Sequence, residues 1–219
     1  MLLILALLCS FLAPNSGRDD WNGWRGPHGN GMADGSPPIE WSAEKNVRWK
    51  ADLPGLGLSS PIVSGDRVFV TTAVPTGKRK AGVVSEDFRQ PFELEEQEFV
   101  VLAFDRASGK ELWRKKVNQA LPHEPTHPTN SYATPTPATD GTRVYCSFGS
   151  YGLYALTLAG EPVWQIDLGD LNNLGHGEGS SPLLHDGSLI LLWAQRRGPS
   201  FLVALDPATG KEQIGRAHV

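Results

Sequence analysis

The stretch "VLAFDRASGKELW", residues 101–113, decides how the whole chain is read. "VLAF" is apolar and partly β-branched, and "ELW" starts a second extended run, so the phrase reads as two strands around "DRASGK". Asp105 can accept hydrogen bonds from backbone N–H groups just ahead of it in an Asx-type turn. Gly109 supplies the positive-φ residue that a bulged hairpin loop needs. The phrase returns as "LYALTLAGEPVW" (153–164) and as "LVALDPATGKEQ" (202–213). Ala103, Ala155 and Ala204 fall 52 and 49 residues apart, a period that belongs to propeller blades or a solenoid.

A second phrase alternates with the first: "SSPIVSGDRVFVTT" (59–72), "ATPTPATDGTRVYCSF" (133–148) and "SSPLLHDGSLILLW" (180–193). Each contains a short apolar strand, a Gly- or Asp-containing turn and a longer strand. Each repeat therefore reads as a four-stranded antiparallel sheet. One such sheet cannot hide both faces, and radial stacking lets neighbours cover one another. Trp49, Trp113 and Trp164 each fall where a fourth strand is expected, and their natural seat is the next blade, near its small Ala and turn Gly.

The spacing A-x-D-x-x-[ST]-G-x-x-x-W is complete at Ala103–Trp113, with Asp105 and Gly109 inside it. It resembles the tryptophan-docking repeat of pyrroloquinoline-quinone-like propellers. The second copy keeps Ala155 and Trp164 but has Thr157 for the aspartate and is one residue shorter. The third keeps Ala204, Asp206 and Gly210 and has Ile214 where the tryptophan belongs. The resemblance implies an all-β fold of about three blades out of a parent ring of about seven or eight. The expected divisions are a signal peptide at 1–17, an extended segment at 18–46, and blades at about 47–113, 114–164 and 165–213.

The two ends read separately from the repeats. "MLLILALLCSFLAPNSG" is too short an apolar run to span a bilayer and fits a secretory signal, although no Lys or Arg precedes it. Leu8 stands where a lipid-attachment box needs a small residue, which argues against an anchor on Cys9. The location expected is thus periplasmic or secreted. At the other end "IGRAHV" (214–219) back-translates to bases resembling a common sequencing adapter, so these residues read as an artefact. An arc of three blades is then expected to leave inter-blade faces bare at both edges and to be aggregation-prone alone.

Net charge is −4, with no basic stripe, so nucleic acid is a poor partner. "HEPTH" (123–127) matches the H-E-x-x-H zinc signature in letters only. Pro125 sits inside it, with Pro122 and Pro128 beside it, and no helix survives to put both imidazoles on one face. "ELEEQE" (93–98) reads as a solvated insertion. The loops "LPGLGLSSP" (53–61), "LPHEPTHPTNSYATP" (121–135) and "LGHGEGSSP" (174–182) all enter an S/T-P strand and so share one end of the wheel. That makes His127, Asn130, Tyr132, His176 and Glu178 the candidates for a rim contact surface. No catalytic, cofactor or metal residue is expected. The resemblance implies a non-catalytic module binding a protein or other extracytoplasmic ligand. Its alternative is a quinone- and calcium-dependent alcohol or sugar dehydrogenase, which would require paired cysteines and an acidic calcium site.

Overall fold

The computed structural model describes residues 20–33, 35–83 and 92–218, without the side chains of 82, 83 and 214–218. The signal-peptide reading and Cys9 lie outside these residues. Among the described residues, twelve strands form three four-stranded antiparallel sheets in simple up-and-down order. The first sheet holds β1 (Ile62–Ser64), β2 (Arg67–Val83), β3 (Phe92–Asp105) and β4 (Glu111–Ala120). The second holds β5 (Ala138–Thr139), β6 (Arg143–Ser147), β7 (Leu153–Thr157) and β8 (Pro162–Ile166). The third holds β9 (Leu183–His185), β10 (Ser188–Trp193), β11 (Phe201–Leu205) and β12 (Glu212–His218). The sheets stack face to face as blades of one propeller arc.

The repeated turn forms as its residues dictate. Asp105 accepts the Ser108 N–H at 2.7 Å, and Asp206 accepts the Thr209 N–H at 2.7 Å. These bonds hold both carboxyls below the usual carboxylate range, with the Ser108 and Thr209 hydroxyls contributing first. In the shorter second copy Thr157 Oγ1 accepts the Glu161 N–H at 3.1 Å instead. Each turn ends in a register shift one step before the tryptophan position. Ala103 therefore lies opposite Trp113, Ala155 opposite Trp164 and Ala204 opposite Ile214.

The tryptophans tie sheet to sheet. Trp49 Nε1 donates to Arg106 O at 2.9 Å, Trp113 Nε1 to Leu158 O at 3.0 Å, and Trp164 Nε1 to Pro207 O at 2.9 Å. In each case the indole lies on the turn glycine of the following hairpin. A Cβ on Gly109, Gly160 or Gly210 would stand 2.4, 2.8 or 2.9 Å from an indole carbon, and all three glycines have φ between +72° and +86°. One residue type thus answers two demands, a left-handed backbone and a flat seat for a ring.

A second tie runs nearer the axis. Ser60, Thr136 and Ser181 each precede the proline that leads into an innermost strand. The Ser60 N–H donates to Thr136 Oγ1 at 3.0 Å, and the Thr136 N–H donates to Ser181 Oγ at 2.9 Å. The recurring hydroxyl is therefore an acceptor that each sheet offers to the one before it.

Between sheets one and two the core holds Phe69, Phe99, Val101, Val144, Phe148 and Leu156, all nearly or fully buried. Between two and three it holds Tyr145, Leu153, Leu189, Leu191, Val203 and Leu205. Cys146 packs inside the first of these cores, and burial pushes its thiol up, away from reactivity.

Two expectations need correction. Residues 73–83 and 92–98, expected as a solvated loop or edge, extend β2 and β3 into a ribbon, with Arg79 opposite Glu95 and Pro75 opposite Gln97. "GKRK" and "ELEEQE" face each other across it, with Lys78 3.2 Å from Glu96 and Arg79 3.0 Å from Glu93, so each charge run answers the other. Trp49 docks as a fourth-strand tryptophan, and residues 47–53 pair with no strand among the described residues. Finally, the rear face of the first sheet is not bare among the described residues. Trp49 and Ala51 cover Val68, Val70, Val100, Leu102 and Phe104 on the rear of the first sheet. On the forward face of the third sheet Leu183, Leu192 and Leu202 are 56%, 40% and 42% exposed.

Residues 20–33 and 35–46 are largely exposed, but residues 20–22 are held in place. Trp21 exchanges both backbone hydrogen bonds with Val63 on the free edge of β1, and Thr139 N–H donates to Asn22 O at 2.9 Å. Residues 20–22 therefore cross the inner ends of two sheets.

Candidate functional site

The connections that leave one sheet and enter the next, 53–61, 121–137 and 167–182, gather at the end opposite the tryptophan-bearing turns. They knit together directly. Ala133 O accepts the Leu58 and Ser59 N–H groups at 3.1 and 3.2 Å. Asn172 O accepts the Arg196 N–H at 2.9 Å from the hairpin between β10 and β11. A single 3-10 turn, Gly149–Tyr151 between β6 and β7, sits in the middle of the cluster.

Three of the five expected rim residues reach the surface side of this cluster. His127 and His176 are exposed and their rings stack, with centroids 6.3 Å apart and planes at 25°. Asn130 clamps the two loops by donating from Nδ2 to His176 O at 2.7 Å. His127 Nδ1 accepts the Thr129 N–H at 3.2 Å, which fixes its ring.

The other two turn inward, against the expectation of a contact surface. Tyr132 donates its hydroxyl to Glu124 O at 3.1 Å. Burial pushes its phenol up to about 12, with the Glu124 and Glu178 carboxylates adding to the shift. Glu178 folds back onto the 3-10 turn, where Oε2 accepts the Ser150 N–H at 2.7 Å and Oε1 accepts the Ser150 hydroxyl. The reason is local. Gly149 has φ +55° and no Cβ, and a Cβ there would stand 1.1 Å from Glu178 Oε2. Two donors and a missing side chain make a berth for one carboxylate, and burial there pushes it up to about 7.

Glu124 joins it. This residue is 7% exposed and its Oε1 accepts the Asn173 N–H at 3.1 Å. Glu124, Tyr132, Phe148, Tyr151, Gly177 and Glu178 line a pocket of about 10 Å³, room for a single water. His123 completes the ring of polar groups. Its Nε2 lies 2.8 Å from Leu171 O and donates to it, and Nδ1 lies 3.1 Å from the Tyr151 hydroxyl. Sequence reasoning passed over Glu124 and His123 because their letters spelled a zinc signature that the prolines ruled out. Nothing in "FGSYG" (148–152) announces Ser150 as the partner of a glutamate 28 residues away.

A wider groove of about 520 Å³ lies between the N-terminal segment and the inner strands, lined by Trp24, Arg25, His28, Ser181, Leu183 and His185. Among the described residues no three His, Cys, Asp or Glu side chains are grouped to hold a metal ion. Cys146 is sealed in a core. No described helix is long and apolar enough to cross a membrane.

The repeat geometry agrees with a sequence comparison. The family model described as outer membrane protein assembly factor BamB matches residues 94–217, from the ribbon through β12. The chain belongs to this family of PQQ-like repeat proteins. No curated protein matches it in sequence. Among solved structures, BamB from Moraxella catarrhalis is 22% identical at a TM-score of 0.46, over 78% of this chain and 44% of that one. Quinohemoprotein alcohol dehydrogenase from Comamonas testosteroni is 17% identical at 0.48, over 75% and 21%. A europium-containing methanol dehydrogenase is 16% identical at 0.46, over 72% and 24%. The chain thus spans less than half the length of each.

Proposed function

We propose that this PQQ-like chain is a non-catalytic binding or scaffold module of the extracytoplasmic space, and that the loop-bearing end of the arc docks a protein partner. The observation that carries the reading is the construction of that end. Three loops from successive sheets are cross-tied, and they present a stacked His127–His176 pair outward while Asn130 clamps the two loops together. Their remaining polar groups are spent inward on one another. A rigid, preorganised polar patch is what a docking surface needs, whereas substrate chemistry needs an open cleft with convergent reactive groups. The family's description as an outer-membrane assembly factor supports a partner from the outer-membrane barrel assembly machinery.

The test is direct. The full chain is mixed with the purified, detergent-solubilised barrel-assembly complex and binding is followed by interferometry. Binding is expected, with affinity reduced about tenfold in a His127→Ala/His176→Ala variant, the loss of one or two contact residues. Parallel assays add the quinone, calcium, an alcohol and a dye. Dye reduction above the protein-free blank, or binding indifferent to both histidines, would overturn the reading.

A further inference from the structure

The small pocket lined by both Glu124 and Glu178 lies beneath the loops of the docking surface just proposed, and the inference below goes beyond that reading. Two carboxylates from different loops open on one pocket the size of a water, and no Lys or Arg lines it. Each also closes the site mechanically. Glu178 pins the 171–178 loop to the 3-10 turn through Ser150, and Ser150 Oγ in turn accepts the Leu171 N–H at 2.7 Å. Glu124 pins the 121–134 loop to the 171–178 loop through Asn173. A Cβ on Gly177 would meet Asn130 Nδ2 and Thr126 Oγ1 at 2.5 Å, so the loops are in contact along their length.

We propose that Glu178, lining one small pocket with Glu124, is a proton-operated latch that holds the rim loops closed while its carboxyl is protonated and loosens them when it ionises. Two like charges facing one desolvated pocket cannot both ionise cheaply. The groups facing Glu178 are His123, Glu124 and Tyr132 from the 121–134 loop and Tyr151 from the 3-10 turn. His176 lies on its own loop. Asp170 comes within 4.0 Å of His123. The groups among these that could offer a positive charge are His123, whose ring is engaged by Leu171 O and Tyr151, and His176, whose exposed ring stacks on His127.

The direction of the effect follows from linkage. The closed form holds the Glu178 proton up to about pH 7, whereas an opened loop releases it at the ordinary glutamate value of 4.5. The closed state therefore binds more protons across that window. Its advantage is complete below the window and is lost as pH rises through it. The outward histidine pair is carried on these same two loops, so rim order follows the latch.

Amide hydrogen exchange of the full chain tests this at Ser150, Leu171 and Asn173, with rates corrected for intrinsic base catalysis. Protection in the wild type is expected to fall on the order of a hundredfold between pH 5 and pH 8. Glu178→Gln is expected to flatten that slope, and Glu124→Gln to keep a slope with its midpoint moved to lower pH. A flat wild-type profile would overturn the latch, as would an unchanged slope in Glu178→Gln. If millimolar calcium restored protection at pH 8 in the wild type, the pair would be a cation site and not a proton latch.

Discussion

Trp113→Ala is expected to cost about 3 kcal/mol, the lower end of the range for removing a large aromatic, because the ring is only partly buried. It removes a wedge that packs against the core between sheets one and two, and it leaves Leu158 O without its indole donor. Gly160→Ala attacks the same joint from the other side. The new Cβ would sit 2.8 Å from the indole at a backbone φ of +86°. Left-handed strain accounts for about 1–2 kcal/mol and displacement of the ring for the rest, so a total of about 3 kcal/mol is expected. The two effects should not add. Once the indole is gone, alanine at 160 pays only the backbone strain, and the double-mutant cycle in urea is expected to return a coupling of about 1–2 kcal/mol. Full additivity would mean that the ring and the glycine do not meet.

Lysine placed at one repeat position in three sheets gives the second large effect. Val101, Leu153 and Leu202 lie two residues before the alanines of the repeat and are 0%, 1% and 42% exposed. Sequence alone would treat them alike. The stacking of sheets does not: the first two positions are roofed by the following blade and the third is not. Val101→Lys and Leu153→Lys each bury an unpaired ammonium and are expected to unfold the chain, at more than about 4 kcal/mol. Leu202→Lys should change stability by less than about 0.5 kcal/mol. It is also expected to lower self-association in sedimentation velocity, because it breaks the exposed apolar strip made with Leu183 and Leu192. Equal destabilisation at all three positions would refute the stacking order.

The repeats made the blades legible because their chemistry is local. Asp105, Gly109 and their counterparts specify a turn by themselves, and the alternation of the two phrases fixes strand order. The tryptophan seats were legible for the same reason, since each needs only a glycine one repeat away. What stayed hidden depended on long-range pairing. The cross-tie from Thr136 to Ser181 looked like a strand-start signature, because a hydroxyl reveals its acceptor role only when the neighbouring sheet arrives. The ribbon of β2 and β3 was masked by its charge. "ELEEQE" is solvated by composition and becomes a strand only opposite "GKRK". Glu178 reads as a rim residue because its loop enters an S/T-P strand alongside the other rim loops. Its berth is made by the absence of a side chain at Gly149, which no pattern of polar residues announces.

The central claim is that indole rings from successive sheets are plugged into the turns of their neighbours. Hydrogen exchange of the indole N–H groups, resolved by NMR on the full chain, tests it most directly. Trp49, Trp113 and Trp164, each bonded to a carbonyl of the next hairpin, are expected to exchange far more slowly than Trp24 and Trp41, which are 61% and 75% exposed. Exchange of the Trp113 and Trp164 indoles at the rate of Trp41 would contradict it.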